Sequence, residues 1–160
     1  MEERLTHLGK GSPLFSHDGI HDSQTHLAAP SFFYEQLRRQ IALSVRSRIS
    51  FSLVKVVFDK SSGEGVSATI GAEDILRFSC ELKSLTRTED CIGRLGINEC
   101  LIIISDGKSA AERLISRLLT AQSLSVNHTL RISISAVTSH SGESGLSLLN
   151  RLDLQPLSTH

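Results

Sequence analysis

The sequence contains no tryptophan, one tyrosine and one methionine, and aromatic residues make up 4% of its 160 positions. That scarcity excludes a single-stranded nucleic-acid platform built on stacked rings. It also lacks an excess of charge, with 17 Lys and Arg against 17 Asp and Glu and a formal net charge of +0. Duplex DNA or RNA binding and polybasic membrane attachment both need a basic face to meet phosphates, so neither fits. A local pocket for one small anion remains compatible with that balance. No run approaches 18 consecutive apolar residues, so no membrane span is expected. The charged start Met1-Glu2-Glu3-Arg4 lacks the apolar stretch of a signal peptide. Cys80, Cys91 and Cys100 are odd in number and form no C-x-x-C pair. They read as half-buried thiols of a reducing cytoplasm, not as a disulfide or zinc framework, and the chain is expected to be cytoplasmic.

Apolar residues reach 39%, enough for a core, and the length suits one domain. Residues 1–20, with Gly9-Lys10-Gly11-Ser12-Pro13, show no periodicity and read as a flexible arm. His7, His17, His21 and His26 fit no usual metal-ligand spacing and read as solvated loop residues. Phe33, Leu37, Ile41 and Val45 recur every fourth residue and predict a helix from Pro30 to about Ile49, with Pro30 in its first turn. Phe51 to Phe58 is an apolar, β-branched run that predicts a buried strand ending at Asp59. Ser61–Gly65 reads as a loop. Residues 71–85 predict a second helix with Ile75, Leu76, Cys80 and Leu85 on its stripe. Two short runs, Cys91–Leu95 and Cys100–Ile104, separated by Gly96-Ile97-Asn98-Glu99, predict a β-hairpin. Ser109 is placed to cap a helix over 109–122. Leu130–Val137 alternates as a strand, and residues 143–153 form a last helix before Pro156. Helices alternating with strands, plus one hairpin, imply an α/β fold with a central mixed sheet flanked by helices.

The hairpin carries a resemblance. Asp90-Cys-Ile-Gly-Arg94-Leu-Gly96-Ile97-Asn98-Glu99-Cys100 is similar to the D-x-x-x-R-x-G-G-D/E-E-F segment of GGDEF domains, the bacterial diguanylate cyclase family, with Asp90, Arg94, Gly96 and Glu99 in place. Asp22-Ser-Gln-Thr25-His-Leu27 resembles the family's D-x-L-T-G-L motif. Arg131-Ile-Ser-Ile-Ser135 resembles its late T-V-S-I-G strand, and Leu148-Leu149-Asn-Arg151-Leu-Asp153 its L-L-x-x-A-D helix. The resemblance covers about residues 20–157. It implies a GGDEF or nucleotidyl-cyclase palm over 21–157, with 158–160 as a tail.

Family chemistry joins two GTP molecules into cyclic di-GMP, which needs Mg²⁺ on carboxylates, close approach of backbone to phosphate, and guanine recognition. Ile97 replaces the second signature glycine. A β-branched residue there resists positive φ and adds bulk where phosphate would sit. Asn98 replaces the first signature acid. Gly96, Asn98 and Glu99 are thus vestigial as a catalytic set, and Asp59 and Glu99 are vestigial metal ligands. Lys60 to Asp74 does not recover the family's guanine-binding run, with Glu73 or Asp74 as weak stand-ins for its last acid. Ala29-Pro30 replaces its N-R, and the chain ends before its A-K-x-x-G-R-N segment. No catalytic residue or metal site is therefore expected, no cofactor is required, and Mg²⁺ matters only for a residual cyclase.

The family's product-inhibition motif R-x-x-D does match, as Arg87-Thr-Glu-Asp90, five residues before Gly96. Arg117 falls where the family has a secondary arginine. The resemblance implies an inactive GGDEF-like signalling domain that binds cyclic di-GMP through Arg87, Asp90 and Arg117 and acts on an unknown protein partner or a homodimer. The alternatives are a nucleotide-independent scaffold domain and a residual diguanylate cyclase. An Arg–Asp pair beside a helix end is also a common surface salt bridge. Gly107-Lys108-Ser109 and Ser139-His140-Ser141 read as a helix cap and a loop, not as a P-loop or a hydrolase site.

Overall fold

The computed structural model describes residues 14–60, 69–124 and 130–159, so the loop expected at 61–65 and most of the expected arm lie outside the described residues. Helix α1, Pro30–Ser47, starts with Pro30 in its first turn, where a missing N–H leaves no bond unmade. Phe33 and Leu37 are buried as expected, but Val45 is exposed, because the last turn borders an open cleft beside Arg48 and Ser139. Strand β1, Ser52–Lys60, is the central strand. Val54, Val56 and Phe58 join one core and Leu53 the other, so both faces are covered and the sequence reads as a continuous apolar run.

Helix α2, Ala72–Leu85, buries Ile75, Phe78, Ser79 and Leu82. The expected stripe was rotated by one position, since Leu76 and Cys80 are exposed. Phe78 stacks on Phe58 with ring centroids 4.0 Å apart, and that contact fixes the helix rotation. The Asp74 carboxylate accepts from the Gly71 N–H at 2.9 Å and pairs with Lys60 at 3.0 Å, so this acid caps the helix.

Strands β2, Cys91–Arg94, and β3, Glu99–Ile104, form the expected hairpin, with Glu99 in the strand and not in the turn. Helix α3, Lys108–Thr120, begins one residue early: Gly107 is its N-cap and Ser109 lies inside it. Strand β4, Leu130–Thr138, and helix α4, Gly145–Leu154, follow, with Ser144 capping α4 through the Ser147 N–H. Ser158–Thr159 forms a short strand, β5, where the sequence suggested a tail. It pairs with Ser133 and Ile134.

The strand order is β2-β3-β1-β4-β5. Every pairing between these strands is antiparallel, and parallel geometry is confined to the isolated bridge Ala28–Gly93. Crossovers through α2 and α3 join strands of like direction, and each skips over one strand between them. This is the split βαβ arrangement. Helices α2 and α3 cover one face of the sheet, and α1 and α4 cover the other. Gly93 lets α1 approach β2: a Cβ there would lie 2.5 Å from the Phe33 ring. Among the described residues, no helix is long and apolar enough to cross a membrane.

Candidate functional site

The hairpin turn and the end of β1 bring the signature residues together. Asn98 donates from Nδ2 to the Asp59 carboxylate at 3.1 Å, and its carbonyl accepts from the Phe58 N–H at 3.1 Å. Lys55, on the same face of β1, reaches Glu99 at 3.8 Å and Asp153 of α4 at 3.3 Å. Burial raises the pKa of the Tyr34 phenol, and the Glu99 and Asp153 carboxylates add to the effect, so these groups share one neighbourhood. A divalent cation wants converging carboxylates free of competing donors. Here one acid faces an amide and the other an ammonium. Among the described residues, no three His, Cys, Asp or Glu side chains gather where a metal could be held. These donors do not suit Mg²⁺.

The positive φ values among the described residues belong to Gly19, His26, Arg48 and Gly142, so neither Gly96 nor Ile97 adopts the left-handed conformation. The five-residue connection between paired Arg94 and Cys100 is closed by the Leu95 N–H on the Glu99 carbonyl at 2.9 Å and does not need it. Ile97 stays out of the left-handed region, as a β-branched residue is expected to, and lies 46% exposed at the tip.

Sequence reasoning matched Arg94 and Asp22 to motifs but gave them no task. Arg94 is 1% exposed and Asp22 is fully buried. The Arg94 Nη1 donates to both Asp22 oxygens, at 2.9 and 3.1 Å, and to Gln24. Its Nη2 donates to the Leu14 carbonyl and, at 3.0 Å, to that of Ile97. Phe15 lies under the guanidinium, 5.2 Å from it. Asp22 also accepts from the Thr25 N–H and hydroxyl at 2.8 and 2.7 Å. This network pins the segment before α1 to the hairpin turn. A separation of 72 residues leaves no local signal for the pairing.

Arg87 and Asp90 lie in the turn between α2 and β2. The Asp90 carboxylate accepts from the Arg87 N–H at 3.0 Å, and the Arg87 guanidinium meets Asp106 at 3.6 Å, with both side chains exposed. Burial pushes the Asp90 carboxyl above the usual range. The Arg87 N–H works the other way, Glu89 adds to the rise, and the Arg87 and Arg117 guanidinium charges oppose it. Arg117, in the last turn of α3, is therefore within electrostatic reach of Asp90. Arg87 and Asp90 line a cleft of about 420 Å³ whose other walls include His21, His26, Phe32 and Lys83.

The two motifs set aside in the sequence have structural tasks. Gly107 approaches Ser50, where a Cβ would lie 3.0 Å from the hydroxyl. The Ser139 hydroxyl accepts from the Phe51 N–H at 3.0 Å, and the His140 N–H donates to Glu143 at 3.1 Å.

No family model matches the sequence, and no curated protein matches it. Solved structures do. The diguanylate cyclase SiaD from Pseudomonas aeruginosa, solved with its activator SiaC, superposes with a TM-score of 0.70 at 20% identity, over 95% of this chain and 61% of that one. This chain thus spans less than two thirds of SiaD. The GGDEF domain of DgcB from Caulobacter crescentus, in complex with c-di-GMP, gives 0.70 at 19% identity, over 86% of this chain and 88% of that one. A microbial GGDEF domain solved with cyclic di-GMP in a novel interaction mode gives 0.69 at 19% identity, over 84% and 88%. The chain has the fold of GGDEF domains.

Proposed function

We propose that this GGDEF-fold chain is a catalytically inactive signalling domain that binds cyclic di-GMP through Arg87, Asp90 and Arg117 and passes the binding event to a protein partner or a second copy. The observation that carries the reading is the cleft at the α2–β2 turn. Arg87 and Asp90 share its wall, and Arg117 is close enough to bias the Asp90 charge. An arginine fork suits a phosphate or the O6/N7 edge of guanine, and a carboxylate accepts from guanine N–H groups. The exposed Arg87–Asp106 contact is a weak tether that a ligand phosphate displaces. Binding here requires no metal.

Loss of cyclase activity rests on the other end of the hairpin. With Asn98 on Asp59 and Lys55 beside Glu99, the turn offers amide and ammonium groups where GTP-bound metal would need free carboxylates. Ile97 adds bulk at the tip.

Titration calorimetry of the chain with cyclic di-GMP tests the binding. Heat is expected from the wild type and is lost in Arg87→Ala. A wild type silent at tens of micromolar ligand favours instead a nucleotide-independent scaffold, in which Asp90 serves only to close its own turn on the Arg87 N–H. Incubation with GTP and Mg²⁺ tests the inactivity. Product that vanishes in Glu99→Gln overturns it.

A further inference from the structure

The cleft has walls to which Arg87 and Asp90 give no task. His21, His26 and Phe32 all line it, and all three are exposed. The two imidazoles meet edge to face, with centroids 5.6 Å apart and planes at 65°. His26 holds a φ of 60°, in the left-handed region where glycine is at ease and a side chain is not. The matching family motif has glycine at this position. A bulky residue kept in a strained conformation on a cleft wall, with no part in the core, is an observation that asks for a use. The surrounding contacts hold the backbone from which both rings project. The Ala28 N–H bonds the Ile92 carbonyl at 2.9 Å, and His21 bridges to Ala28. Asp18 accepts from the His21 N–H at 2.7 Å, and the Lys83 ammonium donates to the Thr25 carbonyl at 2.6 Å.

We propose that His21, His26 and Phe32 form a stacking wall for the purine of a ligand held at Arg87 and Asp90. This rests on the ligand-binding reading above and adds the residues that grip the base. Aromatic rings at different tilts offer a base both a face and an edge, and imidazole N–H groups can also donate to phosphate. A cleft of about 420 Å³ suits one nucleotide unit rather than a whole cyclic dinucleotide. One half of a purine-bearing phosphodiester sits inside. The other half lies outside.

The test uses the full chain, with cyclic di-GMP as probe. By calorimetry, His21→Ala and His26→Gly are each expected to weaken binding by roughly 5- to 100-fold, the range of one base–aromatic stack. His26→Gly should at the same time raise the Tm, because glycine relieves the backbone strain, so a general loss of structure cannot mimic the result. Imidazole NMR cross-peaks of His21 and His26 should move on ligand addition while those of His140 stay. Wild-type affinity in both histidine variants, with binding still abolished by Arg87→Ala, overturns the stacking wall alone. Weakened binding in the histidine variants with full affinity in Arg87→Ala keeps the wall and removes the arginine from the site. No binding by the wild type overturns both.

Discussion

Asn98 in the hairpin turn and Asp59 at the end of β1 are joined by one hydrogen bond, Nδ2 to Oδ1 at 3.1 Å. The amide N–H gives one Asp59 oxygen a neutral donor. Asn98→Asp would set two carboxylates side by side, at a cost of about 1 kcal/mol near the surface. For a domain of this size that lowers the Tm by roughly 2–4 °C. Millimolar Mg²⁺ should restore the Tm of the variant and leave the wild type unmoved, as read by scanning fluorimetry. An equal Mg²⁺ response in both would show that Asn98 is not what keeps the cation away.

The Arg94–Asp22 pair calls for a much larger effect. Both groups are buried, and removing one strands the other without solvent. Asp22→Asn is expected to cost about 3–5 kcal/mol in urea unfolding. The loss should fall on the segment before α1 first, so amide exchange at residues 14–28 should accelerate beyond that of β1.

Gly93→Ala tests the approach of α1 to β2. The added methyl would meet the side chain of fully buried Phe33, 2.5 Å from its ring. A destabilisation of about 2–3 kcal/mol is expected. A change under half of that would mean that α1 slides freely over the sheet.

Glu143 gives a pH signature. Arg151 forks onto it, Nε to Oε2 at 2.6 Å and Nη2 to Oε1 at 2.8 Å, and the Glu143 side chain is 8% exposed. The Arg151 hydrogen bonds outweigh burial and, with the His140 N–H, hold the carboxyl at about 2 instead of the usual 4.5. A lowered value in the folded chain stabilises fully above the unfolded value and is lost as pH falls through the folded one. Wild-type stability should therefore drop between pH 4.5 and 2, by about 2 kcal/mol after solvent screening. Glu143→Gln should lose this slope and start lower at pH 7.

Thiol reactivity should separate the three cysteines. Burial pushes Cys91 up to about 11 and Cys100 up to about 12, while Cys80 lies exposed on α2. Labelling at pH 8 in the native state should modify Cys80 first and Cys100 only on unfolding. Fast labelling of Cys100 would place it outside the core.

The periodic parts of the fold were legible in the sequence. β1 is apolar on both faces and could only be a covered strand, and Pro30 marked the start of α1 to the residue. Legibility failed where a distant partner decides. The rotation of α2 is set by Phe58, which no local pattern reports, so Leu76 and Cys80 were placed inside while Phe78 does the packing. Helix α3 is capped by Gly107, not Ser109, at a point where the backbone passes close to Ser50. The site divides in the same way. Arg87-x-x-Asp90 is a local turn and could be read directly. Lys55 against Glu99, Asp106 against Arg87, and the histidines beside them depend on which segments the sheet brings together.

The strand order also sets a timetable. β1 is central, yet both its neighbours, Glu99–Ile104 and Leu130–Thr138, come later in the chain. During synthesis this apolar segment must wait, unpaired, for at least 39 further residues, from Lys60 to Glu99, before its first partner exists. Asp22 waits longer still for its guanidinium. Among the described residues, α1 is the only helix already made that can lie against that segment, so the earliest step of assembly falls to Phe33 and Leu37 closing over Leu53.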